Sequence, residues 1–192
     1  MPRPIVLESK SRIKFEHVII VPVYNECPED VLRLIYSVAI QRSGSKHLDN
    51  CAIVININNS TLESKCFNGP IYRNNLNIFN FIKELVNTNK DLSQYYINDA
   101  CTFAREMVVV VRDLLMAGRL YIDIIDSFSS ENTRDRNTLG FAREFATRYA
   151  VNNLVKNNDS LLFSTDADCI FANEAIAETD KMFLERGLDL AP

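Results

Sequence analysis

Four short apolar runs, each ending in polar residues, constrain this chain most. They are Val18-Ile19-Ile20-Val21, Cys51 to Ile57, Arg119 to Asp126 and Leu161 to Thr165. Each is four to eight residues long and rich in β-branched side chains, which reads as a strand buried on both faces. Pro22 cannot donate to a ladder and marks the end of the first strand. Helical spacing separates the runs. Pro28 stands at a first helical position before Val31, Leu32, Ile35, Val38 and Ala39, and Gly44, Ser45 and Asp49-Asn50 end that helix. Leu76 to Val86 repeats the spacing. Asn98-Asp99 caps a helix through about Ala117, closed by Gly118, although Val108 to Val111 also suits a strand. Leu139 to about Lys156 is a helix with Phe141, Phe145, Tyr149 and Val151 among its apolar positions, and a last helix runs from near Asn173 to Gly187. Strands alternating with helices predict an α/β fold, a mostly parallel sheet with helices on both faces. Ligands of such sheets bind outside the carboxyl ends of the strands.

The unusual polar residues gather at those ends. Leu161-Leu162-Phe163-Ser164-Thr165 stops in Asp166-Ala167-Asp168. Side-chain direction repeats every two residues along a strand, so the two carboxylates share a side. They repel unless a cation or hydrogen bonds compensate them. Mg²⁺ or Mn²⁺, hard cations that keep positions open for phosphate, would do so. Alone, an Asp-x-Asp is more often a helix cap, with Asp168 or Asn173 starting the next helix. Three further strand ends are polar: Tyr24-Asn25-Glu26, Asn58-Asn59-Ser60-Thr61, and the stretch from Arg134 to Arg143.

Composition narrows the class. The 192 residues suit one domain, and hydrophobic residues make up 47%, enough for a sizeable core. A net charge of −4 argues against a general nucleic-acid or anionic-membrane partner. No apolar run approaches a membrane span, and residues 1 to 17 lack the apolar stretch of a signal peptide. Five scattered cysteines without a C-x-x-C pair fit reduced thiols in the cytoplasm. His17 and His47 read as surface or strand-edge residues.

The ordered set of strand ends resembles the GT-A-type inverting nucleotide-sugar glycosyltransferases often called family 2. Val21-Pro22-Val23-Tyr24-Asn25-Glu26 matches that family's opening strand and P-x-Y-N-E loop. Asn58-Asn59-Ser60-Thr61 stands where it commonly has Asp-Gly-Ser-Thr. Asn137-Thr138-Leu139-Gly140-Phe141-Ala142-Arg143 resembles its N-x-x-G-x-A-R helix start, and Thr165-Asp166-Ala167-Asp168 its D-x-D strand end. The resemblance covers about residues 17 to 180. It implies a GT-A, Rossmann-like fold and metal-dependent transfer of a sugar from a UDP- or GDP-linked donor to a glycan, lipid or other acceptor. By resemblance, Pro22, Val23, Tyr24, Asn25 and Glu26 line the nucleoside, and Asn58 and Ser60 border the base. Arg143 aims at the diphosphate, with Arg136 and Arg134 on a loop able to close over it. Asp166 and Ala167 meet the ribose or a metal-bound water, and Asp168, with Asp166, holds Mn²⁺ or Mg²⁺.

The chain departs from the family in three places. Asn58 replaces the carboxylate that usually meets the uracil imide. Residues 62 to 118 form a longer insertion than the family minimum. The chain stops soon after the Asp-x-Asp, where the family continues into an acceptor-binding half that carries the catalytic base. The expectation is therefore a donor half, with a non-catalytic nucleotide-sugar-binding module as the alternative and an uncovered sheet edge that favours a homodimer. A sugar-nucleotide-forming nucleotidyltransferase needs a Gly-rich loop after the first strand, and a Rossmann dehydrogenase needs G-x-G-x-x-G. Neither pattern is present.

Overall fold

The computed structural model describes residues 14–59, 69–87, 102–129 and 138–186. Its elements run β1 (His17–Val23), α1 (Pro28–Ala39), β2 (Arg42–Ser43), β3 (Lys46–His47), β4 (Cys51–Asn58), α2 (Pro70–Val86), α3 (Thr102–Met116), β5 (Leu120–Ser127), α4 (Leu139–Asn153), β6 (Leu161–Ser164) and α5 (Ala175–Arg186). The four long strands form one parallel sheet in the order β5–β4–β1–β6. This is a Rossmann-like α/β architecture. The chain steps from β1 outward to β4 and β5, then returns to the other side of β1 with β6. The direction reverses between β1 and β6, and open α/β sheets place their ligand crevice at such a point.

Every residue of β1 and β4 is buried, as a continuous apolar run in a sheet covered on both faces requires. One face of β1 carries Ile19, Val21 and Val23, which pack with Ile53, Ile55 and Ile57 against α1, α2 and α3. The other face carries Val18 and Ile20, which pack with Ala52, Val54 and Ile125 under α4. The α4 layer is closely set. Its buried residues are Ala142, Ala146 and Ala150, spaced four apart. The Asn56 amide reaches from β4 to the Ala142 carbonyl at 2.9 Å. Phe145 and Tyr149 are only half-buried beside that seam and Val151 is 49% exposed, so the small residues face the sheet and not the large ones expected.

Other boundaries move for local reasons. Pro22 lies inside β1, opposite Asn56, and does not end it. The Ile20 carbonyl accepts from Thr165 N–H at 3.1 Å. Two residues on, the missing Pro22 donor points to the same side, beyond the last β1–β6 pair at Ile20 and Ser164. No ladder bond is lost there. β4 and β5 likewise each extend one residue past the expected ends at Ile57 and Asp126. The first helix ends at Ala39, and Gly44, with φ of 62°, turns a β2–β3 hairpin in place of a helix terminus. α2 starts at Pro70, six residues before Leu76. The Val108 to Val111 run is helical. Met107, Val108 and Val111 are buried while Val109 is 58% exposed, so helical burial overrides β propensity. Gly118, with φ of 67°, closes that helix, and Arg119 N–H reaches back to the Leu114 carbonyl at 2.9 Å. The expected start at Asn98-Asp99 lies outside the described residues, as does Gly187. α4 ends at Asn153, short of Lys156, and α5 starts at Ala175, so neither Asp168 nor Asn173 caps it directly.

His17 is neither on the surface nor at a strand edge. It pairs with both Cys51 and Leu161, which places it in the sheet at 4% exposure. Its Nε2 lies 3.5 Å from the Asp180 carboxylate. His47, in the hairpin, is exposed.

Asp123 is buried under α4 and accepts hydrogen bonds from the Tyr121 hydroxyl (2.7 Å) and the Tyr149 hydroxyl (2.8 Å). Burial pushes its carboxyl above the usual carboxylate range, against the two phenol bonds that lower it. The folded state therefore holds this proton more tightly than the unfolded chain. Its contribution is most favourable below the ordinary Asp value of about 3.9 and is lost as pH rises through the raised value. Asp123→Asn is expected to be more stable than the parent at neutral pH. Urea unfolding should show that gain shrinking as pH falls towards about 4. An equal gain at both pH values would contradict a buried, destabilised carboxylate.

Candidate functional site

An open cleft of about 400 Å³ lies at the carboxyl ends of β1, β4 and β6. Pro22, Tyr24, Glu26, Asn58, Leu139, Asp166 and Asp168 line it. It therefore sits at the point where the strand order reverses.

The β1 side is shaped by a sharp bend. Asn25 has φ of 54°, a left-handed conformation that asparagine tolerates better than most residues. The bend follows Val23 and leads into α1, with Tyr24 37% exposed. Two adjacent asparagines on α2 hold it. Asn75 Oδ1 accepts from Asn25 N–H at 2.9 Å. Asn74 Nδ2 donates to the Glu26 carbonyl at 2.7 Å and to Asn25 Oδ1 at 3.2 Å. The Asn75 amide also donates to the Asn58 carbonyl at 2.9 Å, tying this loop to the end of β4. The Asn58 side chain is 4% exposed, and its Oδ1 is buried without a hydrogen-bond partner among the described residues. Such an atom costs free energy until a donor meets it. Leu139, the first residue of α4, supplies an apolar wall. Thr138 fixes that helix start by accepting from Phe141 N–H at 3.2 Å.

The β6 side is acidic. The strand stops at Ser164, and Cys169 N–H closes a turn on the Asp166 carbonyl at 3.2 Å. The two carboxylates share the cleft through this turn and not through strand alternation, because the pleat ends before them. Arg143, on the second turn of α4, forms an ion pair with Asp166 through Nη2. Its Nε is buried without a partner among the described residues. Arg143 does not itself line the cleft and reaches its rim through Asp166. Burial raises the Glu26 carboxyl above its ordinary value, and Asp168 and then Asp166 raise it further. The cleft carries excess negative charge that a cation would relieve.

No group of three or more His, Cys, Asp or Glu side chains among the described residues could hold a metal ion by itself. Asp166 is engaged by Arg143, which leaves Asp168 and Glu26 as the cleft carboxylates without an ion pair among the described residues. That donor set does not suit a cation caged by protein alone. It suits Mg²⁺ or Mn²⁺ bound through one or two carboxylates, waters and a ligand's phosphates.

Of the sequence-predicted residues, Pro22, Tyr24, Glu26, Asn58, Asp166 and Asp168 converge here. Val23 and Ala167 do not line the cleft. Both side chains are buried in the core on the α1 face, because each directly flanks an outward-facing residue. Asn25 supports the bend with its side chain turned to Asn74. Arg143 points at Asp166. Ser60, Arg134 and Arg136 lie outside the described residues. The expected lid over residues 127–137 falls mostly there too. At its start the Asp126 carboxylate accepts from Phe128 N–H at 3.1 Å and Ser129 N–H at 2.9 Å, and Phe128 is buried. Leu139, Asn74 and Asn75 were not foreseen. Two adjacent asparagines inside an apolar helical pattern were the available signal, since asparagine is a poor interior helix former. No helix among the described residues is long and apolar enough to cross a membrane. The chain matches no family model, no curated protein and no solved structure.

Proposed function

We propose that the cleft binds the nucleoside diphosphate of a sugar nucleotide, UDP- or GDP-linked, and that the chain is the donor-binding part of a metal-dependent inverting glycosyltransferase. One observation carries this reading: the polar ends of β1, β4 and β6 meet in a single cleft at the reversal of strand order, with three carboxylates lining it and an Asn58 amide oxygen that has no partner among the described residues. The order of those ends also follows the sequence resemblance. In this reading Tyr24 and Asn58 border the base, and the Asn58 Oδ1 accepts from it. Glu26 and Asp166 face the ribose. Asp168 would hold Mn²⁺ or Mg²⁺, and the cation would supply positive charge for the leaving diphosphate. Arg143 supplies a second positive group. Its paired donors suit phosphate, so a bound diphosphate competes with Asp166 for the guanidinium. The acceptor hydroxyl attacks the anomeric carbon from the face opposite the diphosphate, and its proton passes to a base.

A second reading is binding without transfer. It is favoured by the number of cleft carboxylates: with Glu26, Asp166 and Asp168, which all line the cleft, assigned to the ribose and the metal, none of the three is left for the acceptor's proton. Thermal unfolding in the presence of UDP, GDP and UDP-sugars, with and without Mn²⁺, tests both readings. Nucleotide at 100 times its dissociation constant is expected to stabilise the fold by about 2.7 kcal/mol. The stabilisation should require metal. No shift with any nucleotide in Mn²⁺ or Mg²⁺ would overturn the proposal. Release of free sugar or a glycosylated acceptor separates transfer from binding alone.

A further inference from the structure

We infer that Asn74 and Asn75 of α2 are positioning residues for the cleft. They hold its two nucleoside-side walls at a fixed separation, so that a ligand meets a site already shaped. This inference rests on the reading of the cleft as a nucleotide site.

The Asn75 carboxamide is fully buried and uses both of its ends. Its oxygen takes the Asn25 N–H, and its nitrogen donates to the Asn58 carbonyl. One side chain thus bridges the loop after β1 and the end of β4, the two elements that carry Tyr24, Glu26 and Asn58. Asn74 completes the clasp from outside. Its two amide hydrogens go to the Glu26 carbonyl and Asn25 Oδ1, spanning the residue in the left-handed conformation. A non-glycine residue with positive φ persists only where its surroundings over-determine it, and here three hydrogen bonds do so. The helix that carries the pair is itself anchored. Tyr72 and Phe79 pack on Phe128 with ring centroids 5.5 and 5.7 Å apart, at the end of β5. Tyr72 and Phe79 bracket the two asparagines along α2, so this part of the helix meets the β5 end with its aromatics and the β1 loop with its amides.

A purely structural role explains these residues less well. Asparagine is a weaker helix former than alanine or leucine, and a buried amide costs free energy that an apolar side chain would not. Every bond the pair makes to another element ends on a residue that lines the cleft or bends beside it. An arrangement preformed in this way lowers the ordering cost of binding.

Native-state amide exchange and calorimetry with UDP and Mn²⁺ test the inference on Asn75→Ala and Asn74→Ala, the second replacing a side chain that is only half-buried. Asn75→Ala should raise exchange at the Asn25 amide about tenfold or more, while the Ile19 and Val21 amides of β1 keep their protection. Asn74→Ala should weaken UDP–Mn²⁺ binding about tenfold, the scale of one hydrogen bond, with an unchanged melting temperature. Unchanged Asn25 exchange in Asn75→Ala would overturn the clasp. Exchange rising equally at Ile19 and Val21 would make the pair merely structural and overturn it too. So would local loosening with UDP affinity unchanged. If the parent chain binds no UDP with Mn²⁺, the nucleotide reading fails on its own, and the Asn25 exchange rates still decide whether the pair positions the loop.

Discussion

Ala146→Leu is expected to cost the fold about 3 kcal/mol, near the upper end of the range for overpacking a close-packed core. For a chain of this size that lowers the melting temperature by on the order of 10 °C. Ala146 is fully buried at the centre of the Ala142–Ala146–Ala150 seam, where α4 lies against Val18, Ile20 and Val54. The Asn56 amide reaching the Ala142 carbonyl shows how closely helix and sheet approach. Three extra carbons have no free volume there, and α4 cannot retreat without breaking that bond. The retreat would also move Arg143, on the same helix, away from Asp166. Val151→Ala, on the exposed flank of the helix, is the control and should change stability by no more than about 0.5 kcal/mol. Equal melting temperatures for Ala146→Leu and the parent would mean that the seam is looser than its burial implies.

The same seam shows why part of the fold was legible and part was not. The four strands could be read because burial on both faces needs uninterrupted β-branched residues, and Ile19 to Val21 or Ile53 to Ile55 suit little else. The cleft's position then followed from topology, since polar residues after each strand collect at one rim. The depth of α4 was not legible from its large residues. Phe141, Phe145 and Tyr149 suggest the buried face by size, yet a helix crossing tightly over a sheet buries its small ones. Val23 and Ala167 were drawn into the expected site by contiguity with Tyr24 and Asp168. In a strand or tight turn, the neighbour of an outward-facing residue points inward, and both lie in the core. His17 resisted for a different reason. Its burial depends on partners at Cys51, Leu161 and Asp180, all distant in sequence. The pairing of adjacent asparagines was visible in the sequence but its target was not, because Asn74 binds Glu26 across 48 residues and Asn75 binds Asn25 across 50.

Asp168→Asn is expected to weaken Mn²⁺-dependent UDP binding by about 100-fold or more, since even outer-sphere changes at metal sites reach 10- to 100-fold. Stability should hold, for three reasons. Asp168 is exposed on the turn beyond β6, it forms no ion pair among the described residues, and removing it takes one charge from a cluster of like sign. Asp166→Asn differs in kind. Asp166 is already compensated by Arg143, and both side chains are more than one-third exposed, so breaking the pair should cost at most about 1 kcal/mol. It also frees the guanidinium for phosphate, so its effect on UDP binding should be smaller than that of Asp168→Asn. A readout independent of ligand comes from Glu26. Asp168 is the strongest of the charges that hold its carboxyl above the ordinary value, after burial itself. In Asp168→Asn, an NMR titration of Glu26 should move towards the ordinary range, and Mn²⁺ should no longer perturb that residue. If UDP binds the variant and the parent equally in Mn²⁺ while the Glu26 titration shifts as expected, Asp168 faces the cleft without holding the metal. Its role would then be electrostatic, with the cation bound elsewhere along the diphosphate.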